Sequence, residues 1–196
     1  MSLAYRTLYS LGITPWDHQQ VPAELMEQVA PLPRGRALDV GCGTGTQSIY
    51  LAQQGFDVVG VDVVEKPIRS ATRRAQEAGV GIRFIVADAS ADDASFGGPF
   101  RLVLDYGCLH SVPAKVRAGL ARAYRRLTSS DGTLLLFAFG PRRGPGPQGA
   151  SEDELLQRLG DDFDLASKQA DQATPLPFLL KNAHPVWYRF QRGARA

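Results

Sequence analysis

Asp39, Gly41, Gly43, Gly45 and Asp62 are the residues of this 196-residue chain whose types and spacing speak most directly of chemistry. Three glycines at alternate positions follow a short apolar run, Ala37-Leu38-Asp39-Val40, that carries an acid. With no Cβ in the way, a backbone of that kind turns sharply and passes within contact distance of a ligand. The spacing departs from the dinucleotide fingerprint G-x-G-x-x-G, because the third glycine arrives one residue early. An acid at Asp39 facing the ligand would repel a pyrophosphate and suit a cationic amino-acid group. The pattern favours a positively charged, nucleoside-containing ligand over a nicotinamide dinucleotide. Asp62 ends a second apolar run 21 residues after Gly41, where a carboxylate can accept both hydroxyls of a ribose. A rival reading of Asp39, as an ordinary cap on the following helix, stays open.

Positioning these residues requires strands that end at one edge and helices that begin there. Arg36–Val40, Asp57–Asp62, Ile82–Val86, Arg101–Leu104 and Thr133–Phe139 read as strands, the last a continuous apolar run such as a doubly covered strand shows. Between them, 47–54, 66–78 and 113–127 read as helices, with Gly55 and Gly79 as stops. A first helix spans Pro22–Ala30, with Leu25, Met26 and Val29 on one face. Gly140–Gly149 holds four glycines and three prolines and is a loop. Ser151 and Glu154 then form a capping box for a helix running to Gly160. Two final strands, Phe163–Gln169 and Val186–Gln191, flank an irregular stretch at 171–185. The β-α alternation predicts an α/β fold: a doubly wound, mostly parallel seven-stranded Rossmann-like sheet with helices on both faces. The helix-free closing pair predicts an antiparallel edge strand.

Composition sets bounds. A chain that is 44% apolar with net charge +2 can bury one core, and we expect a single domain over 1–196. Three arginine pairs stand out, at 73–74, 125–126 and 142–143; the first two fall on helices, where a solvated outer face is expected. Nothing has the basic density of a dedicated nucleic-acid binder. Two cysteines, Cys42 and Cys108, make no disulfide framework and fit a reducing cytoplasm. No apolar run reaches membrane-spanning length, and no metal-ligand spacing is evident.

The segment Leu38-Asp39-Val40-Gly41-Cys42-Gly43-Thr44-Gly45 resembles the first motif of class I S-adenosylmethionine-dependent methyltransferases. The resemblance continues through Val59-Gly60-Val61-Asp62, Val86-Ala87-Asp88-Ala89 and Leu104-Asp105-Tyr106-Gly107, to Pro185-Val186-Trp187-Tyr188-Arg189-Phe190. Thr14-Pro15-Trp16-Asp17 and Asp105-Tyr106-Gly107-Cys108-Leu109-His110 are similar to a bacterial small-molecule branch related to thiopurine and tellurite-type enzymes.

The resemblance implies S-adenosyl-L-methionine as cofactor. It places Gly41, Gly43 and Gly45 against its amino-acid part, Asp62 with Val63 at the ribose, and Asp88 with Ala89 at the adenine. Backbone at Asp105 and Tyr106 would face the methyl and amino groups. Tyr106 and His110 are the candidate catalytic groups, and Trp16, His18 and His110 the candidate substrate contacts. The 1–30 region acts as a lid in such proteins, and 140–150 and 171–185 form substrate-side loops. His110 as a helix-entry histidine before Pro113 making one hydrogen bond, and Trp16 as a core anchor, are the competing readings.

The implied activity is methyl transfer to a small S-, O- or N-nucleophile, driven mainly by proximity. Strand four lacks the Asn/Asp-Pro-Pro-aromatic sequence of base N-methylating enzymes, so no nucleic-acid partner is expected. No membrane association is expected either, and the chain is taken as a monomer or homodimer. Two other readings remain: a nicotinamide-dependent oxidoreductase on the same sheet, and a cofactor-binding but non-catalytic partner protein.

Overall fold

A computed structural model describes residues 20–91, 96–142, 146–171 and 180–193. Five strands run parallel and in β-α order through the first part of the chain. They are β1 (Arg36–Val40), β2 (Asp57–Asp62), β3 (Ile82–Val86), β4 (Phe100–Tyr106) and β5 (Thr128–Phe139). Helices α2 (Thr46–Gln53), α3 (Glu65–Glu77) and α4 (Ala114–Leu127) connect them, after a first helix α1 (Ala23–Val29). Helix α5 (Glu152–Leu159) then leads into β6 (Phe163–Ala170) and β7 (Pro185–Arg192).

The sheet order is β3-β2-β1-β4-β5-β7-β6. The closing pair is antiparallel as expected, with β7 lying between β5 and the edge strand β6 and running opposite to both. The chain reverses direction in strand order between β1 and β4, which is where open α/β sheets make a crevice at their carboxyl ends.

Side-chain alternation along the strands divides the core into two layers. Leu38, Val40, Val103, Leu134 and Leu136 pack with Leu120, Tyr124 and Leu127 of α4 and with Leu155 and Leu159 of α5. Ala37, Val58, Leu102, Leu104 and Leu135 pack on the other face with Leu25 and Val29 of α1 and Leu51 of α2. The same period of two sends the side chains of Asp39 and Asp105 to opposite faces of the sheet.

The predicted boundaries hold within a residue or two, except at the start of β5. β4 extends from the predicted Arg101–Leu104 to Phe100–Tyr106, and β5 begins five residues earlier than its apolar run. Thr128 pairs with Phe100, and a register shift before Leu102 leaves residues 129–132 as a bulge ahead of the Thr133–Leu102 pair.

Candidate active site

The glycine turn is bolted onto the end of β2. The amides of Gly41 and Cys42 both donate to the Val61 carbonyl, at 2.8 and 3.0 Å. Gly41 has φ +73°, and a Cβ there would stand 3.0 Å from Cys108 Cβ. Gly45 has φ +82°, and its missing Cβ makes room for Ala71 and Phe84 at 2.9 and 3.0 Å. The first glycine therefore serves the turn and its approach to the β4 loop, and the third serves helix packing. Helix α2 starts directly from Gly45, which has no side chain to cap it. In its first turn, the Ser48 amide and hydroxyl both donate to the buried Asp39 carboxylate, which caps the helix from β1.

Asp62 is buried at the end of β2. Its Oδ1 accepts from the Val64 amide at 2.9 Å and its Oδ2 from the Gly43 amide at 3.1 Å. Burial raises its pKa, opposed by these two backbone donors. The carboxylate thus joins the turn to the start of α3 while still facing a cleft. That cleft is shallow and partly open to solvent, with a volume of about 40 Å³. Its walls bring together Gly41, Asp62, Val63, Asp88 and Ala89 from three strand ends. Opposite them stand Val112, Val116 and Leu120, an apolar wall. Asp88 Oδ1 holds its own loop by accepting from Ser90 N and Oγ at 2.8 and 2.6 Å.

Five expected cofactor residues do not line this cleft: Gly43 and Gly45 in the turn, and Asp39, Asp105 and Tyr106. Asp39, on the α2 side, accepts from Ser48 Oγ at 2.6 Å. Burial pushes its pKa up to about 7, Ser48 opposes the rise, and the nearby Asp105 and Asp62 add to it. Asp105, on the α4 side, is fully buried. Its carboxylate accepts from Cys108 N at 2.6 Å, Leu109 N at 3.0 Å and the Tyr124 hydroxyl. It holds the turn after β4 in shape, so any ligand contact at this position is left to the backbone. Burial raises it to about 6 against those donors. Tyr106 stacks on Trp187, with centroids 5.4 Å apart and planes at 16°.

His110 and Tyr106 belong to one aromatic cluster with Phe137, Phe139 and Trp187. The His110 ring lies 4.2 Å from Phe139, Tyr106 lies 4.7 Å from Phe137, and Phe137 lies 5.2 Å from Trp187. His110 Nδ1 is 3.4 Å from the Phe137 carbonyl, and burial depresses its pKa to about 4. At neutral pH it is an uncharged ring. Trp16 and His18 lie outside the described residues. Among the described residues no three His, Cys, Asp or Glu side chains group as a metal site, and no helix is long and apolar enough to cross a membrane.

Sequence reasoning missed the apolar wall, although Val112, Val116 and Leu120 recur every four residues and signal one helical face. It also missed Arg117. This buried guanidinium donates to the Val112 carbonyl at 2.9 Å and meets Glu154 of α5 at 3.0 Å. It ties the cleft wall to the helix beyond the 140–150 loop.

A glycine turn, a strand-end acid and an apolar helix face around the switch point of a doubly wound sheet define a nucleoside-binding Rossmann-like domain. A family profile described as a methyltransferase domain matches residues 37–132. An uncharacterized methyltransferase of Schizosaccharomyces pombe is 31% identical over 102 residues, covering 52% of this chain and 70% of that protein. The chain belongs to the methyltransferase family. The 2-heptyl-1-hydroxyquinolin-4(1H)-one methyltransferase of Mycobacteroides abscessus is 30% identical over 149 residues, 73% of this chain. The match spans 65% of that enzyme's length. The fold also matches the crystal structure of Burkholderia thailandensis 1,6-didemethyltoxoflavin-N1-methyltransferase with bound 1,6-didemethyltoxoflavin and S-adenosylhomocysteine. There the TM-score is 0.74 at 24% identity, over 97% of this chain and 86% of that one.

Proposed function

We propose that this chain transfers a methyl group from S-adenosyl-L-methionine to a small, uncharged planar acceptor. The carrying observation is the convergence of Gly41, Asp62, Val63, Asp88 and Ala89 on one cleft wall facing Val112, Val116 and Leu120. That donor set fits the cofactor: carboxylates for ribose hydroxyls and an exocyclic amine, and apolar side chains for the adenine faces. The start of α2, at the end of the glycine turn, suits its carboxylate. The sulfonium supplies an activated methyl group, and its positive charge disperses during in-line displacement. This chain's part is to hold donor and acceptor in line and to keep water out, an effect worth roughly 7–11 kcal/mol in well-oriented pairs.

We place the acceptor beside Tyr106, the half-buried edge of an aromatic cluster whose His110, Phe137, Phe139 and Trp187 rings are themselves buried. The cluster's rings are uncharged at neutral pH, which favours a flat, neutral acceptor over an ionic one. The heterocyclic compounds named for the M. abscessus and B. thailandensis proteins are of that shape. With no strong base in the cluster, the acceptor nucleophile is one that ionises by itself or carries a free lone pair. A cytoplasmic monomer or homodimer with no nucleic-acid partner completes the reading, from the cysteine use and modest charge.

Calorimetric titration of S-adenosylhomocysteine into the native chain and an Asp62→Ala variant, with NADH as control, tests the cofactor. Micromolar binding lost in the variant is expected; binding of NADH instead would overturn the reading. Turnover on a panel of hydroxylated heterocycles, thiols and amines separates an enzyme from a cofactor-binding partner protein.

A further inference from the structure

Helix α3 carries three arginines on its length, and they do different things. Arg69 and Arg73 are exposed and pair along the helix with Glu65 and Glu77, at 2.7 and 3.6 Å. Such pairs contribute little. Arg74 turns inward and is half-buried. Its Nη1 reaches the Thr44 carbonyl and the Thr44 hydroxyl, each at 2.9 Å, and the Thr46 hydroxyl at 3.0 Å. The expectation of a solvated face for the 73–74 pair thus holds for Arg73 and fails for Arg74, because the helix twist separates adjacent side chains by about 100°.

Thr44 lies between Gly43 and Gly45 in the turn that the cofactor reading places against the amino-acid part of S-adenosylmethionine. On its other side, the Gly43 amide is bonded to Asp62, which in turn accepts from Val64 at the foot of α3. Ala71, one helical turn before Arg74, fills the space vacated by the Gly45 Cβ. The start of α3 therefore touches the acid, its middle packs on the third glycine, and its last turn holds the Thr44 carbonyl. Arg74 sits at a helix C-terminus, where the macrodipole favours a cation and keeps it in place.

We propose that Arg74 is a positioning residue that sets cofactor affinity by holding the glycine turn in its binding shape. The proposal rests on the cofactor reading above. A turn of three glycines carries much backbone freedom, and ordering it before the ligand arrives removes that cost from binding. Arg74 is not placed to touch the acceptor or the transferred group, so its loss belongs in affinity.

The test is titration of S-adenosylhomocysteine into the native chain and into Arg74→Met, Arg74→Lys, Arg73→Met, Thr46→Val and the Arg74→Met/Thr46→Val pair. Arg74→Met keeps the methylene packing and is expected to weaken binding about tenfold, the loss of roughly one charge-assisted hydrogen bond. Arg74→Lys is expected to restore part of that loss, Arg73→Met to bind like the native chain, and the double variant to lose less than the two single losses combined. Native-like binding by Arg74→Met, an equal loss in Arg73→Met, strict additivity of the pair, or no recovery with lysine would each overturn the proposal. If Arg74→Met does not fold, Thr46→Val alone decides: weaker binding supports the brace and native-like binding overturns it. A native chain that fails to bind S-adenosylhomocysteine overturns the cofactor reading itself, and the proposal with it.

Discussion

Asp39, Asp62 and Asp105 end three neighbouring strands, yet their carboxylates are committed to different partners, and pH should separate them. Asp39 has a folded pKa near 7, raised chiefly by burial, against an ordinary carboxylate value of 3.8. Between those values the folded chain keeps a proton that the unfolded chain has lost, so stability falls as pH rises through that window. Below it the group costs nothing; above about pH 7 the full penalty applies. Asp39→Asn keeps a partner for Ser48 and removes the penalty. Its expected effect is a Tm roughly 4–8 °C higher at pH 8, for ~2 kcal/mol, with the advantage gone near pH 4. His110 is displaced the other way, to about 4. Its neutral form prevails throughout the physiological range, so the pH profile of kcat/KM should show no His110 limb between about pH 5 and 8. Asp39, Asp62 and Asp88 were visible in the sequence because each closes a short apolar run. The role of the Asp105 carboxylate was not, because Tyr124 lies 19 residues away on α4 and only the packing of that helix brings the hydroxyl to it.

Secondary-structure elements were read well where sequence carries both pattern and punctuation. Ser151 caps α5 through the Glu154 amide at 3.0 Å, as the capping box implied. β5 begins earlier than its apolar run because Thr128 pairs with Phe100, while 129–132 form an irregular bulge in which Ser129 Oγ donates to Asp131. How the elements brace one another was not readable at all. The Arg117–Glu154 pair joins α4 to α5, with the two side chains 8% and 26% exposed. Removing one partner strands a mostly buried charge, so Arg117→Ala should lower unfolding stability by about 2–4 kcal/mol by urea denaturation. Arg117→Lys should lose less. Gly45→Ala presents the other kind of interface. A methyl there needs positive φ and meets Ala71 Cβ at 2.9 Å. It should cost roughly 2 kcal/mol or more and abolish cofactor binding, because the turn must shift to admit it.

The two halves of the molecule were unequally readable. The glycine turn and strand-end acids rest on local β-α units whose ends sequence can mark, whereas the aromatic cluster is drawn together from β4, β5, β7 and the β4 loop. Ligand binding should be felt by the whole fold, since the cleft spans three strand ends and one helix face. At a hundredfold excess over its Kd, S-adenosylhomocysteine should add about 2.7 kcal/mol, or roughly 5–11 °C in Tm by thermal melt.

The sheet order has a consequence for how the chain is made. Strands β1 to β5 complete a contiguous half by residue 139, but the free edge of β5 is covered only by β7, which begins at Pro185. Until then the Thr133–Phe139 edge, seven residues of backbone donors and acceptors with Leu134, Leu135 and Leu136 among them, faces water on a nascent chain. An interruption of synthesis anywhere between α5 and β7 leaves that edge bare for good. Chains cut short there should collect as strand-paired aggregates, which makes the last described strand the seal that keeps one copy from templating on another.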